Sequence, residues 1–302
     1  MHPPQPEELE RLAGALSTNE GLIEKDWHVV RALAALAPVE VEHKTRLIFG
    51  GGTSLSRGWG LIKRFSEDID FRVSCERDEV PRPARRSMRA AVLQAMLGAG
   101  FVSASEPKVR DESRFVEMTF SYGAERVVPH GLRDHIKVEL TMKQPRLVPI
   151  CRPVQSFVCK LRGHSPEVSS IPCVDPVETA ADKISAFAWR TMKRKRGKAN
   201  DDPAIVRHLY DLAALKELVE GRQDFDSLAR DVMKQDAGRG GAGQPTEPYE
   251  LLSAVLGVLE GDAAWQREYD DFVHQVGYGP GEELISFETA LAAFKGYIQR
   301  LA

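Results

Sequence analysis

Two aspartates one residue apart open the run Asp68-Ile69-Asp70-Phe71-Arg72-Val73, and a glutamate sits in a second run of the same rhythm, His135-Ile136-Lys137-Val138-Glu139-Leu140. Alternation of period two is that of a strand with one buried face, so both aspartates point the same way, their Cβ atoms about 6–7 Å apart. Carboxylates at that spacing suit one or two Mg²⁺ ions, and two like charges side by side are naturally offset by a cation. A solvated edge strand also accounts for the pair without any metal. If a neighbouring strand sets Glu139 beside them, the three form an acidic triad for two-metal phosphoryl transfer, with ions roughly 3.5–4 Å apart.

Just upstream, Leu47-Ile48-Phe49 stops at Gly50-Gly51-Gly52, followed by Thr53 and Ser54. A glycine turn entering a helix presents backbone N–H groups and a positive dipole end to an anion, and the two hydroxyls add donors. It is not a phosphate loop of the Gly-Lys-Ser/Thr kind. Nor is it a dinucleotide fingerprint, because Leu55 stands where a third glycine belongs. A tight strand-to-helix turn is the alternative, so the turn alone decides nothing; carboxylates and turn together point to a metal–nucleotide site.

The elements that must hold these groups follow from periodicity. A helix starts near Thr18 or Asn19 and carries Ile23, Trp27, Val30 and Leu33; Glu24, Lys25 and Asp26 lie beside that stripe, as a solvated face or as support for the site. Strand, glycine turn and a short helix from Thr53 to Trp59 come next. The strand of the paired aspartates, a helix over 84–97 and strands at 115–122 and 135–140 complete this half. Beyond Pro172 helices take over. Asp175-Pro176 with Glu178 is a capped helix start, and Asp202-Pro203 repeats the device for a helix with Ile205, Val206, Leu209 and Ala213 on its buried stripe. The segment 236–244 holds four glycines and reads as a loop.

Bulk composition constrains the setting. With 302 residues, two domains are expected. The 41 basic and 44 acidic residues leave a net charge of −3, so a nucleic-acid surface has to be a local patch. The four cysteines form no Cys-x-x-Cys pair, which argues against a zinc knuckle or disulfide frame and for a reducing cytoplasm. Neither a secretory leader nor an apolar run long enough to span a bilayer is present, so no membrane partner is expected.

Gly51-Gly52-Thr53-Ser54-Leu55 followed by Arg64-Phe65-Ser66-Glu67-Asp68-Ile69-Asp70 resembles the DNA polymerase β-type nucleotidyltransferase superfamily, specifically its AbiEii/AbiGii-like toxin branch. Ala181-Asp182-Lys183 resembles that branch's third motif and His208-Leu209-Tyr210-Asp211-Leu212 its fourth; Glu24-Lys25-Asp26-Trp27 resembles a helix found in many members. The match spans about residues 20 to 215. The resemblance implies an α+β fold: an N-terminal helical extension (1–40), a polymerase β-type core of mixed sheet and flanking helices (41–165) and a helical C-terminal domain (166–302).

It also implies transfer of a nucleoside monophosphate from an NTP, with Mg²⁺ or Mn²⁺ on Asp68, Asp70 and Glu139, and with Lys183 and Asp211 as further catalytic residues. Gly51, Gly52, Thr53, Ser54, Arg64, Ser66 and Lys183 are the expected nucleotide-binding set. Without the resemblance, Lys183 reads as a snorkelling lysine and Asp211 as the partner of Arg207 one turn back. Arg190, Lys193, Arg194, Lys195, Arg196 and Lys198 form a basic run that is either a solvated loop or an RNA contact. By resemblance the chain is the toxin of a toxin–antitoxin or phage-defence system, with tRNA as acceptor and an antitoxin or transcriptional regulator encoded nearby. A small-molecule or protein nucleotidyltransferase and a non-catalytic nucleotide-binding regulator are the alternatives.

Overall fold

The computed structural model describes residues 2–127, 132–199, 201–239, 241 and 243–302. The chain divides into two compact units, Met1–Asp175 with Tyr278–Pro280, and Pro176–Gly277 with Gly281–Ala302.

The first unit is built on a mixed sheet. Its strands are β1 (Glu40–Val41), β2 (Thr45–Gly50), β3 (Asp68–Ser74), β4 (Val102–Ser103), β5 (Lys108–Arg110), β6 (Phe115–Ser121), β7 (His135–Thr141), β8 (Ile150–Val154) and β9 (Val168–Cys173). The order is β4-β6-β7-β3-β2-β9-β8, with β1 on β2 and β5 on β6. β3 runs parallel to β7 and β2 parallel to β9, while the other pairs are antiparallel.

Among the described residues, α1 (Pro6–Ala15), α2 (Glu20–Leu36), α3 (Gly51–Thr53), α4 (Arg82–Gly98) and α5 (Phe157–Leu161) accompany the sheet. Asn19 caps α2 by accepting from the Gly21 N–H at 2.7 Å, as a side-chain oxygen does at a helix start. Val30, Leu33 and Leu36 of α2 and Met88, Val92 and Met96 of α4 join one core with Ile69, Phe71, Val116, Val138 and Leu140 of the sheet. Alternation therefore leaves the intervening residues of β3, β6 and β7, including Asp68, Asp70, Glu117 and Glu139, on the opposite face.

The second unit is helical: α6 (Pro176–Lys193), α7 (Arg207–Glu220), α8 (Phe225–Asp236), α9 (Pro248–Gly261), α10 (Ala264–Val276) and α11 (Phe287–Arg300). α6 packs on α7 and α8, and Phe187 meets Phe294 edge-on at 5.6 Å and Trp265 at 6.5 Å. No helix among the described residues is long and apolar enough to cross a membrane.

Three expectations change. The boundary drawn at 165 falls at 175, because Val168–Cys173 is a strand that pairs with β2 and β8. The single short helix from Thr53 to Trp59 is one α-turn, Gly51–Thr53, continued by a π-helical turn over Ser54–Gly58. Asp202-Pro203 opens a 3-10 turn, Pro203–Val206, instead of capping α7; its carboxylate is engaged by Arg207 at 3.1 Å. Of the glycine loop at 236–244, residues 240 and 242 lie outside the described residues.

Candidate active site

The half-buried face of the sheet carries an acidic row. Asp70 on β3 stands directly opposite Glu139 on β7, and Glu139 in turn opposes Glu117 on β6. Asp68, two residues earlier, faces Lys137. Like charges directly opposite one another on adjacent strands are destabilising unless cations offset them. Here Lys137 Nζ lies 3.0 Å from Asp68 Oδ2 and 2.6 Å from Glu139 Oε1, and Lys108 meets Glu117 at 2.6 Å. The other oxygen of Asp68 accepts from Arg133 Nη1 at 2.6 Å.

These ion pairs shift the groups involved. Burial works against the Lys137 ammonium, but Asp68 and Glu139 outweigh it and hold its pKa above the ordinary lysine value. Arg133 is raised in the same way, with burial opposed by Asp68 and Glu67. The hydrogen bond from Lys108 holds the Glu117 carboxyl below its ordinary value.

As expected from the alternation, Asp68, Asp70 and Glu139 share one face on adjacent strands. Among the described residues, however, no three His, Cys, Asp or Glu side chains are gathered closely enough to hold a metal ion. The donor set nonetheless fits a hard divalent cation in kind, since it is all carboxylate oxygen. Lys137 is the observation that tests the fit: its ammonium already bridges two of the three carboxylates, as a cation there must.

The glycine turn is shaped by the same carboxylates. Gly51 has φ of +68°, and a Cβ there would stand 1.9 Å from Asp70 Oδ2, so only glycine admits the aspartate. A Cβ on Gly52 would meet Arg64 Nη2 at 2.7 Å and Ser66 Oγ at 2.8 Å. Thus Gly51 gathers Asp70, and Gly52 gathers Arg64 and Ser66. The hydroxyls behave differently: Thr53 and Ser54 are 1% and 2% exposed, and Thr53 Oγ1 donates to the Asp68 backbone carbonyl. Thr53 clips the turn to β3 and does not present its hydroxyl at the surface.

Glu24, Lys25 and Asp26, for which a solvated face was the alternative, are all buried. Each clamps a different segment of the first unit. Glu24 accepts from the Glu125 and Arg126 N–H groups, both at 2.8 Å. Lys25 donates to Glu67 and to the Arg133 carbonyl, and burial pulls its ammonium below the ordinary value in spite of Glu67. Asp26 pairs with Arg57 at 2.6 Å and accepts from the Phe157 N–H at 2.9 Å. Glu67 accepts from the Arg133 N–H at 2.8 Å and lies 3.3 Å from its Nη1, so a chain of ion pairs runs from Lys25 through Glu67 and Arg133 to Asp68. The sequence offers Lys25 as a solvated residue or as support for the site and carries Glu67 within a motif without a role, and it does not single out Arg133 or Lys137. The available signal was three consecutive charges on a helix, which span about 200° of its surface and cannot all clear the buried stripe.

Within the second unit, Lys183 Nζ lies 2.7 Å from Asp211 Oδ2, the aspartate being fully buried. Asp211 therefore pairs with the third-motif lysine, and Arg207 pairs with Asp202 instead. The basic run divides by role. Arg194 is bound to Asp201 at 2.7 Å and to Glu268 at 2.6 Å, and Arg196 to Glu268 at 2.9 Å. Both also lie 4.8 Å from the Trp265 ring, and Arg190 is 3.8 Å from Asp202. Lys193, Lys195 and Lys198 are exposed.

A family model described as the nucleotidyl transferase AbiEii toxin of type IV toxin–antitoxin systems matches residues 31–293. Seven solved chains match the structure. One is MenT4, a nucleotidyltransferase toxin from Mycobacterium tuberculosis H37Rv, with a TM-score of 0.54, 19% identity and 99% of each chain covered. That likeness speaks for the fold. No curated protein matches the chain.

Proposed function

The chain belongs to the AbiEii family of nucleotidyltransferase toxins from type IV toxin–antitoxin systems, and from that premise we propose that it transfers a nucleoside monophosphate from an NTP to tRNA, in a reaction dependent on Mg²⁺ or Mn²⁺. Family membership supplies the nucleotidyltransferase activity, the NTP and the existence of an antitoxin. The acceptor and the metal are the proposed part. One observation carries the site: Asp70 and Glu139 stand opposite each other in the parallel register of β3 and β7, with Asp68 on the same face.

Asp68, Asp70 and Glu139 are the residues that would hold a divalent cation, which when bound would supply charge neutralisation for the triphosphate and lower the pKa of the attacking hydroxyl. The acceptor hydroxyl oxygen forms a bond to the α-phosphorus, the bond to the β-phosphate bridging oxygen breaks, and pyrophosphate leaves. Arg64 and Ser66, gathered over Gly52, are the donors for the phosphates. Lys183, whose ammonium is oriented by Asp211 within the second unit, is proposed as a phosphate donor on the strength of its family motif. Of the basic run, Lys193, Lys195 and Lys198 are the residues proposed to meet RNA phosphates, because Arg194 and Arg196 are held by Asp201, Asp262 and Glu268.

The test is incubation of the protein with labelled NTPs, Mg²⁺ and total tRNA. Label is expected in tRNA, and Asp68→Ala with Asp70→Ala is expected to abolish it. Transfer that persists in the double variant sinks the carboxylate assignment, and label found in a metabolite or a polypeptide instead of tRNA sinks the acceptor.

A further inference from the structure

Lys137 is placed where the proposed reaction has no need of a positive side chain. It lies in the middle of β7, on the face of Glu139 and opposite Asp68, with hydrogen-bonded strands on both sides. Its backbone is therefore fixed, and only the four-carbon stem can turn. The ammonium bridges one carboxylate from each of two strands, 3.0 Å from Asp68 Oδ2 and 2.6 Å from Glu139 Oε1. The side chains involved are 16%, 29% and 23% exposed, so solvent screens this cluster incompletely. With Arg133 on the remaining oxygen of Asp68, both oxygens of that carboxylate are occupied by the chain's own cations.

We propose that Lys137 is a switch that competes with the divalent cation for Asp68 and Glu139 and moves to the nucleotide triphosphate when the cation arrives. The inference rests on the reading of Asp68, Asp70 and Glu139 as the cation-binding face. An ammonium and a divalent cation held on the same two carboxylates repel one another, and that repulsion is large where screening is incomplete, so each weakens the other's hold. The displaced ammonium has three donors and no acceptor, and needs an anion to stay on this half-buried face. A triphosphate arriving with the cation supplies one, and lysine is a point-charge phosphate binder well suited to such a change of partner. Cation and nucleotide are then coupled: each removes a cost that the other otherwise bears, and by linkage the coupling is reciprocal. Arg133 does not share this role, since its guanidinium also lies 3.3 Å from Glu67 Oε1 and stays paired when Asp68 is taken.

The experiment is Mn²⁺ titration of the full chain, followed by electron paramagnetic resonance and calorimetry, with and without a non-hydrolysable NTP analogue. Without nucleotide, Lys137→Met is expected to bind Mn²⁺ about ten-fold more tightly than the wild type, and the gain in Mn²⁺ affinity on adding the analogue is expected to shrink by a similar factor. Lys108→Met removes a charge from the same face without touching Asp68 or Glu139, so it reports the field alone; a change under about two-fold is expected from this exposed pair. Lys137→Arg keeps the charge and should stay close to wild type, and circular dichroism checks that each variant is folded. Lys137→Met binding no more tightly than wild type, or no more tightly than Lys108→Met, overturns the switch. If Asp68→Asn with Asp70→Asn abolishes Mn²⁺ binding while Lys137→Met leaves it unchanged, the switch fails and the carboxylate site stands. If neither wild type nor Lys137→Met binds Mn²⁺, both fail.

Discussion

Asp26 and Arg57 form a buried pair whose removal separates the energy of the pair from that of its parts. Asp26 on α2 reaches Arg57 Nε at 2.6 Å and the Phe157 N–H at 2.9 Å, and the two side chains are 3% and 8% exposed. The guanidinium lies 3.7 Å over the Phe157 ring, with Phe65 and Tyr278 at 5.8 and 5.6 Å. Burial raises the Asp26 pKa in spite of Arg57 and the Phe157 N–H, so desolvation is the larger effect. Arg57→Met should therefore cost about 3–5 kcal/mol, because it strands a buried carboxylate. Asp26→Leu should cost a similar amount. The double variant exchanges the pair for apolar groups, which is near neutral, and leaves the Phe157 N–H without its acceptor at about 1–3 kcal/mol. It should thus lose far less than the sum of the singles. In Arg57→Met the Asp26 pKa rises further, so the folded state binds more protons than the unfolded one above the ordinary aspartate range. Stability then falls as pH rises through that window, and the variant's deficit should be smaller at pH 5 than at pH 8. Urea unfolding read by hydrogen exchange of the α2 amides measures all three variants. A cost below about 1 kcal/mol for Arg57→Met, or a double variant that loses the full sum, refutes this account.

Gly51→Ala places a Cβ 1.9 Å from Asp70 Oδ2 at a φ of +68°. Displacing that carboxylate by an ångström is expected to lower nucleotidyl transfer by about 100-fold with the fold intact by circular dichroism, and wild-type turnover contradicts the placement. His28 is buried against Tyr122 and Trp27, at ring distances of 4.4 and 4.8 Å, and burial with the nearby Arg31 lowers its pKa to about 3. The unfolded chain then takes up a proton near pH 6.5 that the folded chain refuses, so stability is full above 6.5 and lost as pH falls below it. About 2 kcal/mol should disappear between pH 7 and pH 5, and a His28→Phe variant whose denaturation midpoint shows the same slope rules out this histidine as the cause.

Much of the first unit is written in alternation: Asp68-Ile69-Asp70 and Lys137-Val138-Glu139 announce half-buried strands, and the structure places them as β3 and β7. Their register is not local information. Asp70 opposes Glu139 because β7 joins the sheet parallel to β3, after β4, β5 and β6 have intervened in the chain. The short edge strands β1, β4 and β5 hold two or three residues each, too few for any period to emerge. Val168–Cys173 looks like the close of a domain only until β2 is seen to need a partner on its far side. The counter-ions were hidden for the same reason. The rhythm that turns Glu139 outward turns Lys137 outward too, and once the strands are parallel and in register, Asp-x-Asp meets Lys-x-Glu with Lys137 opposite Asp68 and Glu139 opposite Asp70. An acidic pair on a strand therefore argues for a cation without saying whose. Here the chain supplies a first cation itself, so the exchange of that ammonium for a metal ion, more than the presence of carboxylates, decides whether the face works as a metal site.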